Sequence, residues 1–226
     1  MVELIAPTGT TRIVIDCGPD FRQQMLSAGV DRIDGIVITH PHADHIHGLD
    51  DVRSYTLDQR SLIDLYADAA THKRLLEAFG YCFQTPTGSS YPPIVQHCEI
   101  TAGRLFSISG PGGEIELLPY TQVHGAITSN GFRIGPFAYS SDVSDLPADA
   151  QTAISGAGCL VIDALQYNPH PSHFSLDEAV GWIHRLGVPK AYLTHMHTPL
   201  DYGTLCSTLP PNIQPAYDGL TIEYAV

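Results

Sequence analysis

The stretch ITHPHADHIHG, residues 38–48, carries four histidines and an aspartate within eight positions, directly behind an apolar run. Imidazole and carboxylate groups suit borderline and harder divalent ions such as Zn²⁺, Mn²⁺ or Fe²⁺. In an extended backbone His40 and His42 point to the same side, because side chains alternate with period two. Two imidazoles from one strand end can then bind one cation. Asp44 and His45 follow where the chain must turn into the next element, and they can reach a second cation beside the first. A local cluster cannot close such cages alone. Three further candidates stand at the ends of β-like segments: His124 after ELLPYTQV, Asp142 after FAYSS and His195 after KAYLT. Each lies at a strand terminus facing a turn, where a ligand can leave the backbone.

The elements that must position these groups read as α/β. TRIVIDCG (11–18) is a buried strand ending at Gly18. PDFRQQMLSAG (19–29) follows as a short helix with Pro19 in its first turn and Gly29 just past its end. IDGIVITH (33–40) is a second buried strand, and HGLDDVRSYT (47–56) continues as a helix. SLIDLYAD (61–68) is a strand, and ATHKRLLEAFG (70–80) a helix closed by Gly80. Residues 81–97 lack periodicity, are rich in turn formers, and read as a long loop of the kind that often serves function. Residues 98–140 alternate in short β-like segments, and CLVIDAL (159–165) is another buried strand. SLDEAVGWIHRLG (175–187) is the clearest helix: Ser175 and Glu178 form a capping box, and Leu176, Ala179, Val180, Ile183 and Leu186 recur at helical spacing. KAYLTH (190–195) is a strand, and DGLTIEYAV (218–226) closes the chain as a β segment. With no repeat, linker or low-complexity tract, residues 1–226 read as a single domain.

Composition bounds what such a domain does. A chain of 226 residues buries roughly 70–75% of its unfolded surface, so a core forms without disulfides. The cysteines at 17, 82, 98, 159 and 206 are odd in number and contain no C-x-x-C pair, which is neither a disulfide framework nor a zinc ribbon. No apolar run approaches the roughly 20 residues that span a bilayer, and no signal-peptide pattern opens the chain; the reading is a cytoplasmic protein with no membrane partner. Twenty-four acidic against 11 basic residues give a net charge of −13. Polyanion binding needs clustered Lys and Arg, so no long nucleic acid is expected as a partner.

An apolar strand followed by H-x-H-x-D-H, then a distant His, an Asp and a final His, resembles the metallo-β-lactamase superfamily; the match spans residues 12–195 and uses all seven positions. The resemblance implies a four-layer αββα sandwich with two divalent metal ions, Mn²⁺ or Zn²⁺, at one edge of the sheets. It implies that His40, His42 and His124 hold the first metal, that Asp44, His45 and His195 hold the second, and that Asp142 bridges both. IDCGPDFRQQML, DHIHGLDDVR, YSSDVS and PHPSHFSLDEAV further resemble the PhnP-like phosphodiesterases. That branch implies hydrolysis of small cyclic ribosyl or nucleotide phosphodiesters by a metal-bridging hydroxide, which the second oxygen of Asp44 would orient. His173, ahead of a capped helix whose N-terminus favours anions, is the candidate general acid or phosphate contact. Asp16 is expected to hydrogen-bond a ligand histidine, and His197 to orient His195, since ligating histidines usually donate their other N–H to a partner.

Members of this family usually begin with another strand and a glycine-rich turn, whereas here Met1 starts almost directly on the IDCGPD strand. A missing first strand would expose a sheet edge, which invites pairing, so a homodimer is expected. Three other functions share the motif: a tRNA 3′-processing nuclease, which would usually carry a basic arm not found here; a glyoxalase-type thioesterase; and an inactive metal-binding relative.

Overall fold

The computed structural model describes residues 1–224. Chain contacts divide it into two compact units, residues 1–101 with 106–116, and residues 102–105 with 117–226. Among the described residues no helix is long and apolar enough to cross a membrane.

The first unit is a five-stranded sheet in the order β1-β2-β3-β4-β5. Its strands are β1 (Val2–Ala6), β2 (Gly9–Ile15), β3 (Gly35–Val37), β4 (Ile63–Ala67) and β5 (Val95–Glu99). From β2 onward they run parallel. Parallel strands covered on both faces read as continuous apolar runs, and Ile36, Val37 and Ile38 are all fully buried. The helices are α1 (Phe21–Ser27), α2 (Ala43–Ile46), α3 (Arg53–Gln59) and α4 (Ala69–Phe83), with a 3₁₀ turn at Leu49–Val52 ahead of α3. Phe21, Leu49, Val52 and Leu75 pack with Ile36, Ile38 and Leu65 into one core. Each such side chain contributes roughly 1.5–3 kcal/mol on burial. β6 (Phe106–Gly110) then leads through a tight turn into the first residues of β7 (Gly113–His124).

Two expectations fail in this unit. Although the sequence places Met1 almost directly on the first strand, residues Val2–Ala6 form a strand of their own, β1, which pairs antiparallel with β2 from Val2↔Ile13 to Ala6↔Gly9. The edge of β2 is therefore covered, and Glu3 opposite Arg12 adds an ion pair of 2.6 Å across the two strands. Gly80 does not close α4 either. The helix kinks at Phe79 (φ −134°, ψ 30°) and runs on to Phe83. The buried Cys82 accepts the Ile94 N–H at 2.8 Å, so packing overrides the glycine, and the loop shrinks to 84–94.

The second unit is built on the strand order β12-β11-β10-β9-β8-β7. β8 (Ile127–Ile134) is antiparallel to β7 and to β9 (Phe137–Ser140). β10 (Cys159–Asp163), β11 (Ala191–Thr194) and β12 (Ile213–Pro215) continue parallel to β9. α5 (Ala148–Ile154), α6 (Leu176–Leu186) and α7 (Tyr202–Thr208) flank the sheet. α6 carries the capping box read from the sequence, and Gly187 ends it with φ 65°. The expected closing β segment is not found among the described residues: 218–224 form no strand, and residues 225–226 lie outside the described ones. The strand that does close the sheet, β12, is only three residues long, follows Pro210 and Pro211 and ends at Pro215, so no alternating run marks it.

Candidate metal centre

In the first unit, the chain leaves β2 through Asp16, whose backbone sits in the left-handed region at φ 62°. An aspartate tolerates that conformation at a cost, and such strain concentrates where geometry is functional. Asp16 Oδ1 accepts the Thr39 N–H at 2.8 Å. Its Oδ2 accepts from the Thr39 hydroxyl at 2.8 Å and lies 2.7 Å from His45 Nδ1. A carboxylate only accepts, so His45 carries its proton on Nδ1 and Nε2 is left as the lone-pair nitrogen. The Thr39 hydroxyl has spent its one proton on Asp16. At 3.0 Å from His40 Nδ1 it must therefore accept, which assigns the His40 proton to Nδ1 in the same way. His40 Nε2 then faces His42 Nδ1 at 3.0 Å, a separation that demands a proton or a cation between two imidazole nitrogens. Asp44 Oδ2 lies 3.4 Å from His45 Nε2. His40 and His45 are buried; His42 and Asp44 are exposed.

Gly18 and Gly48 let this turn close. A Cβ on Gly18 would stand 2.1 Å from the Asp44 carbonyl oxygen, and one on Gly48 2.2 Å from the Gly18 carbonyl oxygen. The Gly48 N–H and the His45 carbonyl both bond Cys17 at 2.8 Å. Burial drives the Cys17 thiol far above its usual range, with Asp16 adding to the effect, so Cys17 packs as an inert apolar group.

In the second unit three groups follow the ends of neighbouring strands: Asp142 after β9, Asp163 at the last position of β10, and His195 after β11. Ile162 pairs in register with Ser140, and Asp163 with Thr194, so parallel alignment delivers all three to one edge. Crevices at the carboxyl ends of parallel strands are where open α/β sheets bind ligands. His195, like Asp16, has a positive φ, 56°. Asp142 directs Oδ1 toward His195 Nε2 at 3.4 Å and Oδ2 toward His124 Nε2 at 3.9 Å. His124 Nδ1 donates to the Ser172 carbonyl at 2.7 Å, which again leaves Nε2 as the lone-pair nitrogen. Ser141 Oγ donates to Asp142 Oδ1 at 2.8 Å, and Ser129 Oγ to the Asp142 carbonyl at 2.6 Å.

His173 holds Nδ1 2.7 Å from Asp163 Oδ2 and stacks on His195 with ring centroids 5.0 Å apart. Ligand atoms of Asp163, His173 and His195 lie within 4.8 Å of one another. Burial pushes the Asp163 carboxyl above its usual range, while the bonds from His173 and the Val143 N–H pull it back. Asp163 escaped the sequence reading because it sits in an apolar strand. The signal was there, since a carboxylate in such a strand must find a partner. The orienting role expected of His197 is not found. Its side chain is exposed and makes no hydrogen bond to His195 among the described residues; it is the backbone N–H that is tied, to Leu165 O at 2.8 Å.

Each half offers donors that suit a divalent ion: His45 and His124 bond through Nδ1 and leave Nε2 for a cation, and in the second unit the acceptor-only carboxylate of Asp142 turns a separate oxygen to each of two histidines. Two sheets with flanking helices, carrying such groups at strand ends, define a metal-dependent hydrolase of the α/β metallo-β-lactamase type, a fold consistent with the αββα sandwich. The profile of the beta-lactamase superfamily domain matches residues 11–196. A crystal structure of a diphosphatase of the PhnP family is 34% identical, with a TM-score of 0.82 over 92% of this chain and 77% of that one. The chain belongs to the metallo-β-lactamase superfamily, in its PhnP-like branch. It is also 34% identical over 222 residues to an octanoyltransferase of Porphyromonas gingivalis, covering 96% of this chain and 43% of that protein, so it spans less than half of that relative. A ribonuclease Z of Archaeoglobus fulgidus is 40% identical over 78 residues, 32% of this chain and 26% of the enzyme.

Proposed function

We propose that the protein is a dinuclear phosphodiesterase acting on small cyclic ribosyl or nucleotide phosphodiesters, with residues 1–226 working as one hydrolase domain. The observation that carries this reading is Asp142, whose two oxygens turn to two different histidines, as a carboxylate shared by two cations would. His40, His42 and His124 would hold one ion, Asp44, His45 and His195 the other, and Asp142 both, with Mn²⁺ or Zn²⁺ the ions of choice. When bound, such a pair supplies Lewis acidity at the phosphoryl group and lowers the pKa of a water to about 7. The diphosphatase and ribonuclease Z relatives both act at phosphoryl centres by name, which supports phosphorus over a carbonyl as the electrophile.

The chain's own residues do the rest. Asp16 and the Ser172 carbonyl keep the His45 and His124 protons on Nδ1 and so keep each Nε2 aimed at its ion. Asp163, anchored by the Val143 N–H, holds the His173 ring by Nδ1. Nε2 is then the end from which a proton passes to the departing oxygen. Asp44, the exposed carboxylate of the set, would orient the attacking water. Five cysteines without a disulfide fit a reducing compartment, in keeping with a cytoplasmic enzyme. β1, an edge strand of the first sheet, is the surface through which a homodimer would form. The decisive experiment is turnover of bis(p-nitrophenyl) phosphate and a cyclic ribosyl phosphate by protein reconstituted with Mn²⁺ or Zn²⁺, with S-lactoylglutathione as the carbonyl control. Hydrolysis of the phosphodiesters alone is expected; turnover of the thioester alone removes the reading.

A further inference from the structure

A cleft of about 320 Å³ opens in the first unit between the turn after α2, the end of α4 and the loop that follows, lined by Asp50, Arg53, Tyr81, Pro86, Ser89 and Tyr91. None of these residues is required by the chemistry above. The lining is unusual for surface in three respects. Tyr81 and Tyr91 are 42% and 71% exposed, two large flat rings left largely in water. Asp50, which only accepts, is presented beside them. Arg53, in a chain with 24 acidic and 11 basic residues, brings a cation to the same hollow and spends one N–H on Asp50 at 2.9 Å.

Flat π surfaces recognise nucleobases by stacking, whatever the base, because every base has a π-face. A carboxylate beside such a surface accepts from ribose hydroxyls, the role an acidic residue plays in dinucleotide-binding folds. A guanidinium, with five donors on one plane, answers a phosphate. The three side-chain chemistries of a nucleoside phosphate are thus collected in one hollow. Its place in the chain also fits. Asp50 stands on the 3₁₀ turn that follows α2 and Arg53 at the start of α3, and the ring of His47, just past the end of α2, meets Phe79 edge-on at 5.6 Å on the helix that carries Tyr81.

We infer that this cleft seats the nucleoside end of the substrate, so that the substrate class is a nucleotide diester or diphosphate and not a base-free sugar phosphate. The inference rests on the phosphoryl hydrolysis proposed above, but its test does not. AMP and ribose 5-phosphate are titrated calorimetrically into the full chain, with and without Mn²⁺. AMP is expected to bind about ten-fold or more tightly than ribose 5-phosphate, the gain one stacked base provides. Tyr91→Ala and Tyr81→Ala should bring that ratio close to one, while Tyr217→Ala, an exposed tyrosine of the other unit, should leave it unchanged. Circular dichroism checks that the variants fold, and the high exposure of Tyr91 makes its truncation the safer of the two. Equal affinity for the two ligands in the unmodified protein overturns the inference, as does an AMP preference that survives both tyrosine changes. Base-dependent binding without any phosphodiester turnover would keep the cleft and remove the proposed reaction; turnover without base-dependent binding would do the reverse.

Discussion

At the scale of single residues, the chemistry depends on where protons sit on imidazoles. Asp16 takes three hydrogen bonds, one of them from His45 Nδ1, so Asp16→Asn changes an acceptor into a partial donor facing that N–H. Partners of this kind are worth about 10–100-fold in metal affinity or activity. We expect Asp16→Asn to fall in that range and Asp142→Asn to exceed it, because Asp142 would be a ligand and not a partner of one. Titration of the apo variants with Zn²⁺ against a chromophoric chelator checks both. If Asp142→Asn binds as tightly as the unmodified chain, the bridging assignment is lost. His173 makes a separable prediction. General acid assistance is worth about 10²–10⁴-fold and matters only when the leaving oxygen is basic. His173→Ala should therefore slow an alkyl phosphodiester by about 100-fold or more and leave p-nitrophenolate release nearly untouched. Equal slowing of both substrates would assign His173 to binding instead.

Secondary-structure elements determine whether those residues arrive in register. The turn from β2 to α2 closes only because Gly18 and Gly48 have no Cβ: the Gly48 position abuts the Gly18 carbonyl oxygen and, at 2.7 Å, the buried Phe21 Cβ. Gly48→Ala is expected to cost about 1–3 kcal/mol through overpacking and to lower metal content along with stability, since His45 lies on the segment that must move. Urea melts with metal analysis check this; a variant with native stability and native metal would contradict it. Ser175→Ala removes one half of the α6 capping box and is expected to cost about 1 kcal/mol, with metal binding unchanged because α6 carries none of the ligands. The contrast between these two helices explains how much was legible beforehand. α6 announces itself by Ser175, Glu178 and an uninterrupted apolar stripe, and its bounds were readable to the residue. The seven candidate ligands were readable because four of them cluster in one H-x-H-x-D-H stretch behind an apolar run and His124, Asp142 and His195 stand at or just after strand ends. β1 was missed because its five residues, Val2–Ala6, carry no alternation of apolar and polar types, although their side chains alternate half-buried and exposed. The last turn of α4 was missed because Gly80 signals an end that the packing of Cys82 and Ile94 overrides. Asp163 went unread because it sits in an apolar strand and its partner, His173, stands ten residues on in a bend outside any strand.

At the scale of the molecule, the five thiols report on the packing of both units at once. Cys206 on α7 is exposed and Cys98 on β5 is half-buried, whereas Cys17, Cys82 and Cys159 are buried. Burial pushes Cys82 and Cys159 each up to about 11 and Cys17 further still. The thiolate is the reactive form, so at pH 8 a thiol of pKa 11 is ionised to only about one part in a thousand, before its limited access is counted. The sign of the pH effect follows directly: a raised thiol pKa suppresses reaction at neutral pH and releases it only as pH approaches that pKa. In the folded protein at pH 8 a disulfide reagent should therefore modify Cys206 rapidly and Cys98, whose thiol burial also raises, more slowly. The remaining three should react only as the protein unfolds. Raising the pH alone should accelerate Cys82 and Cys159 far less than denaturant does, because burial limits the reagent as well as the proton. Stopped-flow colour development with and without urea, followed by peptide mapping, reads the order. Three or more fast thiols in the native protein would mean that the cores around β10, the α2 turn and the end of α4 are open to solvent, and that the groups they hold at the strand ends are not fixed in place.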